Sequence, residues 1–328
     1  MKAHSFPRDP LILAPMAALT TSALRCLVRG FGGCDLYFTE MISAAALLQR
    51  GPYESFYINP EPEPEKLVYQ LVGSDREKAA SAAEFLDGLP GFGVDFNMGC
   101  SAPEIVRAGA GVAWMKNAEN ARRLAAALRS RLKNKTLSVK LRVGYEDNFD
   151  YLVSFCRGLA EEGADFITLH PRIKKEKFSR VARWDYITAL KAELSIPLVG
   201  NGDIRSWQDY SLKKTRCGPD GIMIGRAAAR APWFFAFLRK KEEDPGCEMT
   251  VDLQAAAAEF LDLLPRFQPG DFLESRSKRF FSWFCQNLMF GHNLFVTINN
   301  SKGFDAVRKV VFDYFTKHPE ARYKTEKN

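Results

Sequence analysis

No stretch of the chain approaches the roughly 18 consecutive apolar residues of a membrane-spanning helix, so no membrane partner is expected. The opening segment, Met1-Lys2-Ala3-His4-Ser5-Phe6-Pro7-Arg8-Asp9-Pro10, lacks the apolar core of a secretory signal, which points to a cytoplasmic location. The seven cysteines (Cys26, Cys34, Cys100, Cys156, Cys217, Cys247 and Cys285) are odd in number, and no two stand at C-x-x-C spacing. Neither a zinc site nor a disulfide framework is indicated; reduced thiols and no metal are expected. A dinucleotide fingerprint is also missing. Gly91-Phe92-Gly93 has Phe96 where a third glycine belongs, and it precedes a strand instead of following one, which argues against an open doubly wound sheet.

What the chain does contain is a regular alternation. Runs rich in β-branched and aromatic residues recur at 11–14, 35–39, 67–71, 94–97, 137–141, 166–169, 197–199 and 221–224. Helix-like windows such as 75–86, 118–132 and 184–194 separate them. This pattern predicts parallel βα units. Eight strands over about 225 residues suit a (β/α)8 TIM barrel, whose usual size is roughly 250 residues.

After Pro232 the strand signals fade and helical windows dominate, at 253–264, 280–288 and 304–315. A small all-α helical domain over 241–328 is therefore expected to follow a barrel over 1–240, with Glu242-Glu243-Asp244-Pro245-Gly246 as the linker. The aromatics Phe280, Phe281, Trp283, Phe284, Phe312 and Phe315 fall at helical spacing, which suits a core better than base stacking. The last residues, Tyr323 to Asn328, read as a frayed tail. Net charge is +7 and uneven: residues 266–328 hold eleven Lys or Arg against six Asp or Glu. That surplus fits either a polyanion partner or a solvated basic face.

Polar groups cluster just past the strand ends, where barrel enzymes carry their chemistry. Asp95-Phe96-Asn97-Met98-Gly99-Cys100 reads as a buried strand that stops at a glycine and presents a thiol. A lone cysteine is more often a small buried hydrophobe; its polar company favours a functional role. Gly200-Asn201-Gly202-Asp203 follows the seventh strand and Gly225-Arg226-Ala227 the eighth, the positions at which this fold cradles a phosphate. Lys140 lies inside Val139-Lys140-Leu141-Arg142-Val143, and a buried lysine costs several kcal/mol without a negative partner. A structural ion pair is the plain reading; a flavin, which gathers negative charge at its pyrimidine side on reduction, is the sharper one. Gln70 within the third strand could serve the same ring or simply be a satisfied core amide. His170 and Arg172 follow the sixth strand.

Taken in order, Ala14-Pro15-Met16-Ala17, Thr39-Glu40-Met41, Gln70-Leu71-Val72-Gly73, Asn97-Met98-Gly99-Cys100, Val139-Lys140-Leu141-Arg142, His170-Pro171-Arg172, Gly200-Asn201-Gly202-Asp203-Ile204 and Met223-Ile224-Gly225-Arg226 resemble the tRNA-dihydrouridine synthases. The likeness spans roughly residues 11–240, and the helical C-terminal region fits it. It implies an FMN-bound barrel, a tRNA-binding helical domain and NADPH as reductant; a monomer is expected because one tRNA per chain needs no symmetry. By position, Pro15, Met16 and Ala17 would pack on the flavin, and Gln70, Lys140 and His170 would contact its ring. Asn201, Gly202, Asp203, Gly225 and Arg226 would hold its phosphate. Asn97 would bind the target uracil and Cys100 would act as general acid, with Arg172 and Glu40 placing substrate.

The implied chemistry is consistent with those residue types. Saturating the uracil C5=C6 bond needs a hydride at C6 and a proton at C5 on the other face. Carbon protonates slowly, so the acid must be held close and kept from water. A thiol of ordinary acidity, about 8.5, stays mostly protonated at neutral pH and can donate. The chain departs from the family pattern at Ser101 (proline), Glu104 (lysine), Ala18 (glycine), Thr21 (an acidic residue), Pro171 (glycine) and Ile173 (threonine). These departures bear on the target position and on turnover. The other readings are a flavin oxidoreductase of free pyrimidines, a non-catalytic tRNA-binding barrel and a flavin-free phosphate-binding lyase or isomerase.

Overall fold

In a computed structural model describing residues 5–176 and 179–327, each strand-like run forms a strand, and eight parallel strands close into a barrel. They are β1 (Leu11–Leu13), β2 (Leu36–Ser43), β3 (Leu67–Val72), β4 (Gly93–Met98), β5 (Thr136–Gly144), β6 (Phe166–Ile173), β7 (Leu198–Asn201) and β8 (Gly221–Ile224). Closure is seen at β1, where Ile12 aligns with Leu36 of β2 on one side and Met223 of β8 on the other. Helices intervene, and several begin at side-chain caps. Thr21 accepts from the Leu24 N–H at the head of Ser22–Gly30, and Asp75 from the Lys78 N–H ahead of Arg76–Asp87. Such caps satisfy otherwise unpaired helix donors.

The period-two alternation of the strands sorts their side chains into two populations. Leu13, Tyr69, Phe96, Leu141 and Leu169 join the helices in a large outer core. Ile12, Leu36, Phe38, Val68, Phe166, Val199 and Met223 form a separate cluster that fills the lumen, with Phe6 packed against Phe166 at 4.9 Å between ring centroids. Higher on the inward-facing register of β3 to β6, the lumen turns polar: Gln70, Asp95, Asn97, Ser138, Lys140, Thr168 and His170. The barrel therefore stands on an apolar base and opens to a polar mouth at its C-terminal end.

The expectation for the C-terminal region holds in type and fails in places. Helices Leu253–Phe267, Gly270–Phe284, Gly291–Asn300 and Phe304–Lys317 are present, so the helix expected at 280–288 begins ten residues earlier. It ends where a 3-10 turn takes over at Cys285–Asn287. Phe260 stacks on Phe280 at 3.7 Å, and Phe281, Phe284 and Phe315 are buried, while Trp283 and Phe312 are half-buried. The frayed tail does not form. Tyr323–Glu326 is strand β10, paired antiparallel with β9 (Met249–Asp252), and Trp233 donates to Glu326 at 3.1 Å. Asn328 lies outside the described residues. The division expected at 240/241 falls inside helix Phe234–Glu243. Glu242 of the expected linker accepts from Tyr210 and Lys214 of the barrel helix Trp207–Cys217. The helices share the barrel's outer core, with Leu253–Phe267 against Ser22–Gly30.

Candidate active site

The thiol is placed by a chain of amides. Asn97, at the end of β4, accepts through one oxygen from the N–H groups of Gly99 at 3.1 Å and Cys100 at 2.8 Å, a side-chain turn of the kind Asn favours. Its Nδ2 donates to Gln70 Oε1 at 2.9 Å. Gln70 Nε2 donates to Asp95 at 2.7 Å, and Ser138 Oγ donates to the other Asp95 oxygen at 2.6 Å. Arg142 Nε holds the Gly99 carbonyl at 3.0 Å, and the Val112 N–H holds that of Cys100 at 2.9 Å. Gly111 sits at φ +61, where a Cβ would lie 2.5 Å from the Cys100 carbonyl oxygen, so no side chain fits without moving the turn. Cys100 itself remains half-exposed. Gln70 is 0% exposed, and its placement joins Asp95 to Asn97.

Burial pushes the Asp95 carboxyl up to about 7, against the pull of Ser138, Gln70 and Lys140. Burial and the charge of Arg142 bring the Lys140 ammonium down to about 8, with Asp95 and Cys100 opposing. Among the described residues, Lys140 makes no hydrogen bond or close ion pair. Beside it in register is Thr168, whose hydroxyl is buried with no hydrogen-bond partner. An unpaired ammonium above an orphaned hydroxyl is a donor set suited to the electron-rich edge of a flavin.

His170 is kept neutral. Burial, with the charges of Lys140, Arg142, Arg172 and Arg226, holds it well below its ordinary value. Arg172 Nη1 lies 2.7 Å from His170 Nε2; a guanidinium can only donate, so Nε2 accepts and Nδ1 carries the proton. Arg172 is 1% exposed and also donates to Asp203 at 2.6 Å and to the Arg180 carbonyl at 2.6 Å. Arg172, expected to help place substrate, is thus buried and braced against Asp203.

The glycine turns after β7 and β8 meet at the same mouth. Gly202 has φ +121, and a Cβ there would lie 2.8 Å from the His170 ring. Asn201 ties the turns together by donating to the Met223 carbonyl at 2.8 Å. Asp203 would repel a phosphate if left alone, but it accepts from Arg172, from the Ala182 N–H at 2.8 Å and from Arg226 at 3.3 Å. Burial would raise its carboxyl; Arg172, the Ala182 N–H and Arg205 outweigh that and hold it below the usual carboxylate range. Lys213 donates to its carbonyl oxygen. The local charge is thus net positive, and the Arg226 side chain keeps 33% exposure, so an anion can be received.

On the β1–β2 side, Pro15, Met16 and Ala17 precede a tight turn in which Thr20 Oγ1 accepts from the Met16 N–H at 2.9 Å. Met16 reaches the second glycine turn, its sulfur 3.2 Å from where a Gly225 Cβ would stand. Glu40 is 5% exposed, accepts from the Ala18 N–H at 2.6 Å and pairs with Arg276 at 2.8 Å. Glu40, expected to help place substrate, thus has its carboxylate engaged by the Ala18 peptide and Arg276. Glu104 is exposed on the short helix Pro103–Arg107. Sequence reasoning missed Asp95, Ser138, Gly111, Arg142 as a brace of the thiol turn, and Arg276. Asp95 alone left a visible signal, a carboxylate in an otherwise apolar strand.

The closed eight-stranded parallel barrel, with two glycine turns, a neutral histidine and Lys140 at its polar mouth, places the chain among the (β/α)8-barrel proteins. The family model described as "Dihydrouridine synthase (Dus)" matches residues 12–324, and the chain belongs to that family. A probable tRNA-dihydrouridine synthase of Aquifex aeolicus is 34% identical over 258 residues, covering 76% of this chain and 78% of the relative. A tRNA-dihydrouridine(16) synthase of Neisseria meningitidis serogroup B is 27% identical, covering 93% and 94%. Among solved structures, a 2-naphthoyl-CoA reductase complex aligns with TM-score 0.54 at 10% identity, over 70% of this chain and 50% of that one. Histamine dehydrogenase from Rhizobium sp. 4-9 aligns with TM-score 0.52 at 14% identity, over 98% and 63%. At those identities the likeness concerns the fold alone. The described residues contain no group of three or more His, Cys, Asp or Glu that could hold a metal, and no helix long and apolar enough to cross a membrane.

Proposed function

We propose that this enzyme reduces the C5=C6 bond of particular uridines in tRNA to 5,6-dihydrouridine, with FMN as cofactor and NADPH as reductant. The observation that carries the reading is Lys140, an ammonium without a hydrogen-bond partner among the described residues, on the strand next to the Cys100 turn, in a chain of this family. FMN, when bound, supplies the hydride to uracil C6 and is recharged by NADPH. Lys140, charged below about pH 8, favours the negative charge that reduction brings. Pro15, Met16 and Ala17 would wall the ring, while Gln70, through the Nε2 hydrogen not given to Asp95, and neutral His170 would complete its polar edge. Asn201, Gly202, Asp203, Gly225 and Arg226 receive the phosphate, with Asp203 acting through the guanidiniums it orients.

Cys100 gives its proton to C5 from the opposite face. Asn97 and Arg142 hold its turn, so that the thiol need not be ordered during the reaction. Asn97, with one amide hydrogen given to Gln70, keeps the other for the uracil. A uridine stacked within folded tRNA must be turned out to reach the mouth. Residues 241–328, through the basic surplus confined to 266–328, would grip the tRNA phosphates beside the 1–240 barrel, with affinity that falls steeply with salt. One tRNA per monomer needs no symmetry. The names of the relatives support tRNA as substrate.

The test is direct. Purified protein should be yellow, absorb near about 450 nm, release FMN on denaturation, and form dihydrouridine in unmodified tRNA on addition of NADPH. A protein that stays colourless after incubation with FMN contradicts the reading.

A further inference from the structure

The loop after β1 is held from outside the barrel. Ala18 sits at φ +62, a left-handed conformation that strains any residue with a side chain. Its N–H donates to Glu40 Oε1 at 2.6 Å, and the same oxygen accepts from Arg276 Nη1 at 2.8 Å. Arg276 is 236 residues away in sequence, on helix Gly270–Phe284. It also donates to Tyr57 Oη at 3.1 Å and lies over the Tyr57 and Phe272 rings at 6.0 and 5.3 Å. Glu40 and Arg276 are 5% and 8% exposed. Such a buried pair is weak evidence of a stabilising role, because apolar packing of similar volume commonly does as well. Its convergence on one strained peptide, next to the wall of the mouth, calls for a different explanation.

We infer that Arg276 is a positioning residue for the loop that walls the cofactor site. It fixes Glu40, Glu40 holds the Ala18 peptide, and the Ala18 turn aims Pro15, Met16 and Ala17 at the mouth. Docking of the C-terminal helices thereby sets the geometry of the barrel's first loop. The helical region that would hold the tRNA is then also part of what shapes the site. The structural link stands by itself; its effect on turnover rests on the function proposed above.

The link is tested with the flavin-loaded, full-length protein by hydrogen exchange of residues 14–20 together with turnover on tRNA, in wild type, R276M, A18G and R276M/A18G. R276M is expected to exchange faster in that segment and to lower kcat on tRNA on the order of tenfold, the scale of a misplaced reacting group. A18G should restore both in the R276M background, because glycine takes positive φ without strain, and should change wild type less. R276K, which can reach Glu40 but lacks the fork to Tyr57, should be intermediate. If R276M does not fold, E40Q/R276Q leaves no stranded charge; it should show the same faster exchange and the same rescue by A18G. Unchanged exchange in the variants, or an A18G effect of equal ratio in both backgrounds, would overturn the inference. A wild type that forms no dihydrouridine contradicts the proposed function instead, and the exchange data still decide the link.

Discussion

The β3–β5 side of the mouth is held by amides around one carboxyl; the β6–β8 side is held by guanidiniums around another. On the first side, Ser138, Asp95, Gln70 and Asn97 form a file that ends on the Cys100 N–H. On the second, Arg172 and Arg226 converge on Asp203 beneath the glycine turns. The two carboxyls move in opposite directions, Asp95 upward through burial and Asp203 downward because its cations outweigh burial. The contrast suits the tasks proposed for the two sides. A turn that would present a proton donor is fixed here mostly by amides, with the single guanidinium of Arg142 on the Gly99 carbonyl, whereas a cradle for an anion needs surplus cations already oriented.

The sharpest break of the comparison is at the thiol. Cys100→Ala should retain FMN and NADPH oxidation and lose on the order of 10²- to 10⁴-fold in dihydrouridine formation, the range for a general acid; single-turnover assays on tRNA check it. Next is the charged side. Arg172→Met removes the most buried partner of Asp203, leaving it Arg226, Arg205 and the Ala182 N–H, and should cost about 3 kcal/mol in urea unfolding, with weaker FMN retention read from the protein's absorbance. The neutral side should respond differently. Gly111→Ala forces the Cys100 turn to shift and should lower turnover about tenfold or more while FMN binding holds. The subtlest effect is in pH. Asp95 has a folded value of about 7, above an ordinary carboxylate near about 3.9. The folded state therefore binds more protons between those values, and stability falls as pH rises from about 4 to about 7. Asp95→Asn should remove that slope, seen as a smaller loss of urea midpoint between pH 5 and pH 8 than in wild type.

The parts legible in the sequence were those with local signals. β-branched runs marked the eight strands, and glycines after them marked the turns at Gly202 and Gly225. The odd lysine at Lys140 and the strand-ending Cys100 stood out from apolar neighbours. Roles decided by distant partners were not legible. The ion pairs of Glu40 with Arg276 and of Arg172 with Asp203 join residues far apart in the chain, and no local signal announces them. Tyr323–Glu326 reads as tail because its pairing strand, Met249–Asp252, lies far upstream and contains little that marks it. Ala18, where the family pattern has glycine, shows the same limit: its positive φ supplies the reason for that glycine, which the residue itself does not.

The account's central claim is tested most directly by mapping dihydrouridine in tRNA from cells with and without this gene. The account predicts that the modification disappears at a defined uridine when the gene is removed and returns with the wild-type copy, but not with Cys100→Ala. A map unchanged by removal of the gene would contradict it.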